Sequence, residues 1–243
     1  RTSRGFFQTN TVSARLSRLQ AVRFKQSILR QWLHLSTVQA LLASSAADDQ
    51  QNNDLVLMPV IPERQALSSM RAFVSWLPET SPKLQPIPVS NRWYYMRNMV
   101  LGHLTLLVLP AVLASVFWLH VSWWLWLVLA GLIWLVVMAL QGQYAATTAA
   151  IAIAPPKQLI IQVGEMWTRQ RYFVRKKDIQ AMTIKQSIWM KARGVAHLEV
   201  HIRKGNSDQT VNSRYMAVDL AKQIMTWYQP LPSVPQEGDN HAA

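Results

Sequence analysis

The chain has 243 residues, 50% hydrophobic and 15% charged, with 25 Lys and Arg against 12 Asp and Glu and a formal net charge of +13. It has no cysteine, which excludes a disulfide framework and a thiolate zinc site. The basic excess favours anionic partners, a membrane surface or nucleic acid, and no Asp, Glu, Lys or Arg occurs between Asn98 and Pro156, a block too long for an ordinary globular core.

The chain opens on Arg1, and nothing near it resembles a signal peptide. Residues 1–77 read as one domain. SRGFFQTNTVSA predicts a single strand. LQAVRFKQSILRQ (Leu19 to Gln31) then alternates, with Val22, Phe24 and Ile28 on one face and Arg23, Lys25 and Ser27 on the other. A turn at His34 leads to a strand with Val38, Ala40 and Leu42 inward, and a polar loop follows. Pro62 and Glu63 start an amphipathic helix whose stripe is Ala66, Met70, Phe73 and Leu77. Residues 78–91 are proline-rich and predict a semi-stiff linker.

Residues 92–140 predict a membrane hairpin. Its helices, about 99–119 and 123–140, extend roughly 31 and 27 Å at 1.5 Å per residue, close to the thickness of a hydrocarbon core. The short turn His120–Ser122 makes them antiparallel. Arg92, Arg97 and Lys157 lie on one side and the turn has no Lys or Arg, so the positive-inside rule predicts a multi-pass cell-membrane protein with both soluble parts cytoplasmic. His103 and Thr105 are the notably polar side chains of the first helix, too few for a transport path.

Residues 141–229 predict a second domain. KQLIIQVGEMWTRQRYFV reads as strand, turn at Gly164, strand. IQAMTIKQSIWMK (Ile179 to Lys191) follows, with Met182, Ile184 and Ile188 opposed to Thr183, Lys185 and Ser187. Gly194 marks a turn, Leu198, Val200 and Ile202 face inward on the next strand, and a final helix carries Leu220, Ile224 and Trp227. The tail 230–243 has the composition of a disordered segment.

The phrase at Leu19 recurs at Ile179, an offset of 160, with six of the first ten positions identical. The repeated unit is an α+β arrangement, antiparallel strands closed by a C-terminal helix. Two such units separated by a membrane hairpin, the Gly164 to Ser187 and Gly5 to Ser27 runs, and the strand AHLEVHIRKG resemble the second family of bacterial pleckstrin-homology (PH) membrane proteins. The resemblance implies a PH-like antiparallel β-sandwich or barrel, present twice, and a general link to the cell envelope. At the same offset residue 1 aligns with residue 161, so the first copy lacks its opening strand and hairpin. The expectation is that the chain is the C-terminal portion of a longer protein.

Two candidate sites follow. Arg15, Arg18, Arg23, Lys25, Arg92, Arg97, Arg169, Arg171, Arg175, Lys176, Lys177 and Lys185 are candidates for binding the anionic inner leaflet, where each cation contributes roughly 1 kcal/mol. His197, Glu199 and His201 alternate along one strand and could hold zinc, although the solvated-face reading is favoured and the first copy has Thr37, Gln39 and Leu41 there. No catalytic motif and no cofactor-binding loop is present, and no exposed aromatic platform for nucleic acid is evident. The expected function is a non-catalytic membrane scaffold or adaptor that docks on lipid and binds an unidentified protein partner, with homo-oligomerisation open. The alternatives are a metal-dependent membrane enzyme and a tethered nucleic-acid binder.

Overall fold

A computed structural model describes residues 2–4, 10–12, 18–43, 54–117, 124–204 and 207–229. Arg15, the turn His120–Ser122 and the tail 230–243 lie outside them.

β1 (Thr2–Arg4) and β2 (Asn10–Val12) form a two-stranded antiparallel pair, one strand more than the comparison of the two copies predicts. β3 (Leu19–Gln26), the short helix α1 (Ile28–Trp32), β4 (Leu35–Leu42), β5 (Asp54–Pro62) and α2 (Glu63–Arg71) follow. β6 (Gln85–Pro86) leads to two long helices, α3 (Val89–Phe117) and α4 (Trp124–Thr148). The chain then forms β7 (Ala150–Ala154), β8 (Gln158–Glu165), β9 (Thr168–Arg175), β10 (Ile179–Lys185), α5 (Ile188–Ala192), β11 (Val195–Lys204), β12 (Ser207–Ala217) and α6 (Val218–Tyr228). The order β3-α1-β4-β5-α2 before the long helices is thus the order β10-α5-β11-β12-α6 after them.

The correspondence reaches single hydrogen bonds. Gln31 N donates to Ser27 O and Lys191 N to Ser187 O, both at 2.9 Å. Gln26 Nε2 donates to Leu35 O at 3.2 Å and Gln186 Nε2 to Val195 O at 2.9 Å. His34 and Gly194 both take the left-handed backbone, φ 53° and 65°, that closes the turn after the short helix.

Seven strands form one antiparallel sheet in the order β5-β4-β3-β9-β8-β7-β6, and β10-β11-β12 form another. The larger sheet is built from both parts of the chain, because β3 pairs with β9: Ala21 lies opposite Val174, Val22 opposite Phe173 and Lys25 opposite Gln170. Strand alternation then sorts the side chains. Val22, Phe24, Val38 and Ala40 lie with Ile160 and Phe173 in one core, closed by Ala66 and Met70 of α2. Ala21, Leu41, Ile161, Tyr172 and Val174 lie in the other, against Leu198, Val200 and Ile202 of the smaller sheet and Ala221 and Ile224 of α6. Each fully buried Leu, Ile, Val or Phe is worth roughly 1.5–3 kcal/mol, so burial on both faces holds the two parts together. The Phe24 and Phe173 rings, 5.0 Å apart, join them across the ladder.

Several side chains depart from the predicted pattern, Arg23, Thr37 and Leu41 by being buried. Ile28 and Ile188 do not continue the strand parity, because each strand has ended and the residues open α1 and α5, exposed. Phe73 is exposed, since α2 ends at Arg71 before its stripe reaches that position. Gly164 lies within β8, and the turn falls at Met166 and Trp167, both with positive φ. Glycine serves another purpose there: a Cβ at 164 would stand 2.9 Å from Thr148 Cβ and 3.1 Å from Ala145 Cα, so it lets β8 approach α4.

α3 and α4 pack antiparallel. Gly142 meets Met96 near one end, and His103 lies 6.0 Å from Trp134 further along. Among the described residues one segment, Val128–Thr148 of α4, is long and apolar enough to cross a membrane. Leu132, Ile133, Val136 and Leu140 along it are exposed.

Candidate functional site

The β8–β9 turn is fastened to α4. Gln141 Nε2 donates to Met166 Sδ at 3.3 Å, and the Trp167 ring lies 5.5 Å from Tyr144. α1 joins the same end: Gln31 Nε2 donates to Tyr144 Oη at 2.7 Å and to Gln26 O at 2.9 Å. α5 is fastened to α3 instead. Met190 is buried with Tyr94, Val195 and Tyr215, and Arg97 lies over the Tyr94 and Trp189 rings at 5.3 and 5.2 Å. Arg193 Nη1 donates to Tyr94 Oη at 3.0 Å.

Both short helices therefore hang beside the long ones with their outer faces bare. On α1 and just after it, Ile28, Leu29, Trp32 and Leu33 are exposed, Trp32 at 81%. Ile188 of α5 is 92% exposed, and Met166 of the β8–β9 turn beside α1 is 73% exposed. Arg30, Lys191 and Arg193 stand among them, and neither 26–34 nor 186–198 contains an acid. An apolar surface bearing Arg30, Lys191 and Arg193, with Glu165 beside Met166 as the acid at its rim, is suited to an apolar partner with a largely negative border.

The opposite end carries different chemistry. The eight residues of β8 separate the two ends by about 25 Å, and beyond its first residue lies a cavity of about 620 Å³ lined by Trp76, Lys157, Arg175, Lys176, Lys177 and Tyr228. Arg175 is paired with Asp178, donates to Leu19 O at 2.9 Å and lies over the Trp76 ring at 5.0 Å. Lys176 Nζ donates to Trp227 O at 2.6 Å. Gln158 Oε1, buried beside this cavity, has no hydrogen-bond partner.

The other predicted cations are spread over the molecule. Lys25, Arg92, Arg97, Arg169 and Lys185 lie toward the end with the long helices, and Arg18 is exposed before β3. Arg169 bonds Glu63 at 2.9 Å and Gln26 Oε1 at 2.7 Å, and Lys185 pairs with Glu199 at 2.7 Å. Arg23 is buried and forks onto Gln39 Oε1 at 2.9 and 2.7 Å. Arg171 forks likewise onto Gln162 Oε1, and burial, then the neighbouring Arg169, lowers its pKa from the ordinary value. Such cations hold the sheet together as much as they meet solvent.

His197, Glu199 and His201 do share a face of β11, but each is engaged elsewhere. His197 Nδ1 accepts the Tyr215 N–H at 3.1 Å, Glu199 is paired with Lys185, and His201 Nδ1 lies 3.3 Å from Thr210 Oγ1. Among the described residues no group of three or more His, Asp or Glu could hold a metal. The reading of single residues missed the exposed tips of α1 and α5. The shared Ser-Ile at 27–28 and 187–188, with an aromatic soon after each, was the available signal.

Antiparallel strands packed face to face and closed by the C-terminal α6 define a PH-like fold. The family model of the bacterial PH domain matches residues 104–231, and the chain belongs to that family. No curated protein and no solved structure matches the chain. Domains of the PH type mediate protein or lipid contacts and are generally non-catalytic.

Proposed function

We propose that the chain is a non-catalytic scaffold of the cell membrane. In this reading α3 and α4 form a hairpin across the bilayer, and two PH-like units, β1–α2 and β7–α6, lie on its anionic cytoplasmic face. The observation that carries it is the exposed apolar tips of α1 and α5 beside the long helices, interleaved with Arg30, Lys191 and Arg193. Each apolar side chain fully withdrawn from water contributes roughly 1.5–3 kcal/mol, against roughly 1 kcal/mol for each cation near anionic lipid. Apolar insertion therefore dominates, and docking persists at high salt. The tips fix the height of the units above the bilayer and leave the far end, with its basic cavity, free for a protein partner.

The chain has no cysteine, so single cysteines report positions without background. An environment-sensitive fluorophore at Trp32→Cys or Ile188→Cys, in the full chain reconstituted into vesicles, is expected to be quenched by a lipid-borne quencher. The same fluorophore at Lys177→Cys stays unquenched. Equal quenching at all three positions, or none, rejects the reading.

A further inference from the structure

β3 and β10 carry the same phrase but have different neighbours. β3 lies between β4 and β9, whereas β10 pairs with β11 and its other edge is open among the described residues. The shared residues register the difference: Ala21 and Gln26 are buried, and their counterparts Ala181 and Gln186 are exposed. An open edge on a strand of seven residues presents a row of unpaired N–H and C=O groups, a template for another strand.

We infer that the open edge of β10 is the docking site of β2 from the same chain, so that β2 closes the smaller sheet as β9 closes the larger. This rests on the reading of the chain as two copies of one unit. β2 pairs with β1 as β9 pairs with β8, and at the offset of 160 Asn10–Val12 falls at residues 170–172 of β9, one residue out of the ladder register, since Thr2 lies opposite Val12 and Gln162 opposite Arg171. The β3–β9 ladder pairs residues whose numbers sum to 195, as in Lys25 with Gln170. The same rule sets Lys185 opposite Asn10, Ile184 opposite Thr11 and Thr183 opposite Val12. β2 pairs with β1 alone among the described residues and so has an edge to give.

The connection is long enough. Arg175 Nη2 reaches Leu19 O at 2.9 Å, and β10 begins four residues after Arg175, so β3 and β10 start close together. Residues 13–18 join β2 to β3 and span up to about 20 Å at 3.3–3.6 Å per residue. This short tether favours β2 of the same chain over β2 of a second copy.

The test is disulfide trapping in the full chain. Asn10→Cys with Lys185→Cys is the inferred pair, and Lys25→Cys with Gln170→Cys is its equivalent in the ladder already formed. The expected result is an intramolecular disulfide at 10/185, forming within about ten-fold of the rate at 25/170. A disulfide at 25/170 with none at 10/185 overturns the inference and leaves the two-copy reading standing. Failure of both pairs overturns the shared sheet and with it the inference. A 10/185 disulfide that joins two chains overturns it in favour of strand exchange between copies. A second measurement avoids cysteines: Thr11→Pro should speed amide exchange at Ala181–Lys185 by at least ten-fold and leave β3 unchanged. Unaltered exchange at β10 overturns the inference.

Discussion

Gly142 of α4 and Met96 of α3 meet backbone to backbone: a Cβ at position 142 would stand 2.7 Å from Met96 Cα and 3.0 Å from Tyr95 O. A side chain here must push the helices apart, because the atoms it meets are main chain. Gly142→Val is expected to cost about 1–3 kcal/mol, the usual cost of overpacking. Gly131 on the same helix has nothing within 4 Å of its missing Cβ, so Gly131→Val is the tolerated control. Thermal unfolding of both variants in one detergent decides the matter, and equal midpoints would remove the close crossing.

Gln26 and Gln186 supply a comparison inside one molecule. Gln26 is buried, bonds Leu35 O and Ser36 Oγ, and accepts Arg169 Nε. Gln186 is exposed and bonds Val195 O. Gln26→Leu strands buried partners and is expected to cost about 1–3 kcal/mol, whereas Gln186→Leu costs a few tenths of that. Denaturant unfolding of the two variants measures the difference.

His197 gives the stability a pH dependence of known sign. Burial, then the nearby Arg214, lowers its pKa in the folded state below the ordinary value of 6.5. The unfolded chain thus binds its proton at higher pH than the folded one. The contribution of His197 is complete above about pH 6.5 and is lost as pH falls toward the folded value. His197→Asn keeps an acceptor for the Tyr215 N–H and does not titrate, so its midpoint should fall less between pH 7 and pH 5. A parallel fall in both proteins would assign the dependence elsewhere.

The tips of α1 and α5 can be tested apart from stability. Trp32 and Ile188 are exposed, so Trp32→Asp with Ile188→Asp should leave the unfolding midpoint in detergent within about 0.5 kcal/mol of the parent. In vesicles, trypsin should spare Arg30 and Lys191 in the parent and cut them in the variant. Cleavage of the parent in vesicles as fast as in detergent contradicts docking through these tips.

The repeated phrase made the strands legible because alternation is a local signal: Val22, Phe24, Met182 and Ile184 turned inward as their parity required. Parity alone does not show where a strand stops, so it places Ile28 and Ile188 in the core and not on the two exposed tips. The β3–β9 pairing was invisible for a different reason. Only the folded chain brings β9 to the edge of β3, and no periodicity encodes a partner so remote. The candidate cations suffered likewise, since a run of Arg does not reveal that Arg23 and Arg171 will fork onto Gln39 and Gln162.

The β3–β9 ladder also sets an order of events during synthesis. Gln26 and Arg169 are 143 positions apart, an interval of roughly 7–29 s at about 5–20 residues per second. Both long helices are made within that interval, so β3 emerges early and waits with its edge unprotected until β9 follows. Ribosome pausing in that window, or depletion of whatever shields nascent strands, should therefore injure this protein more than one whose sheet closes within a single stretch of chain.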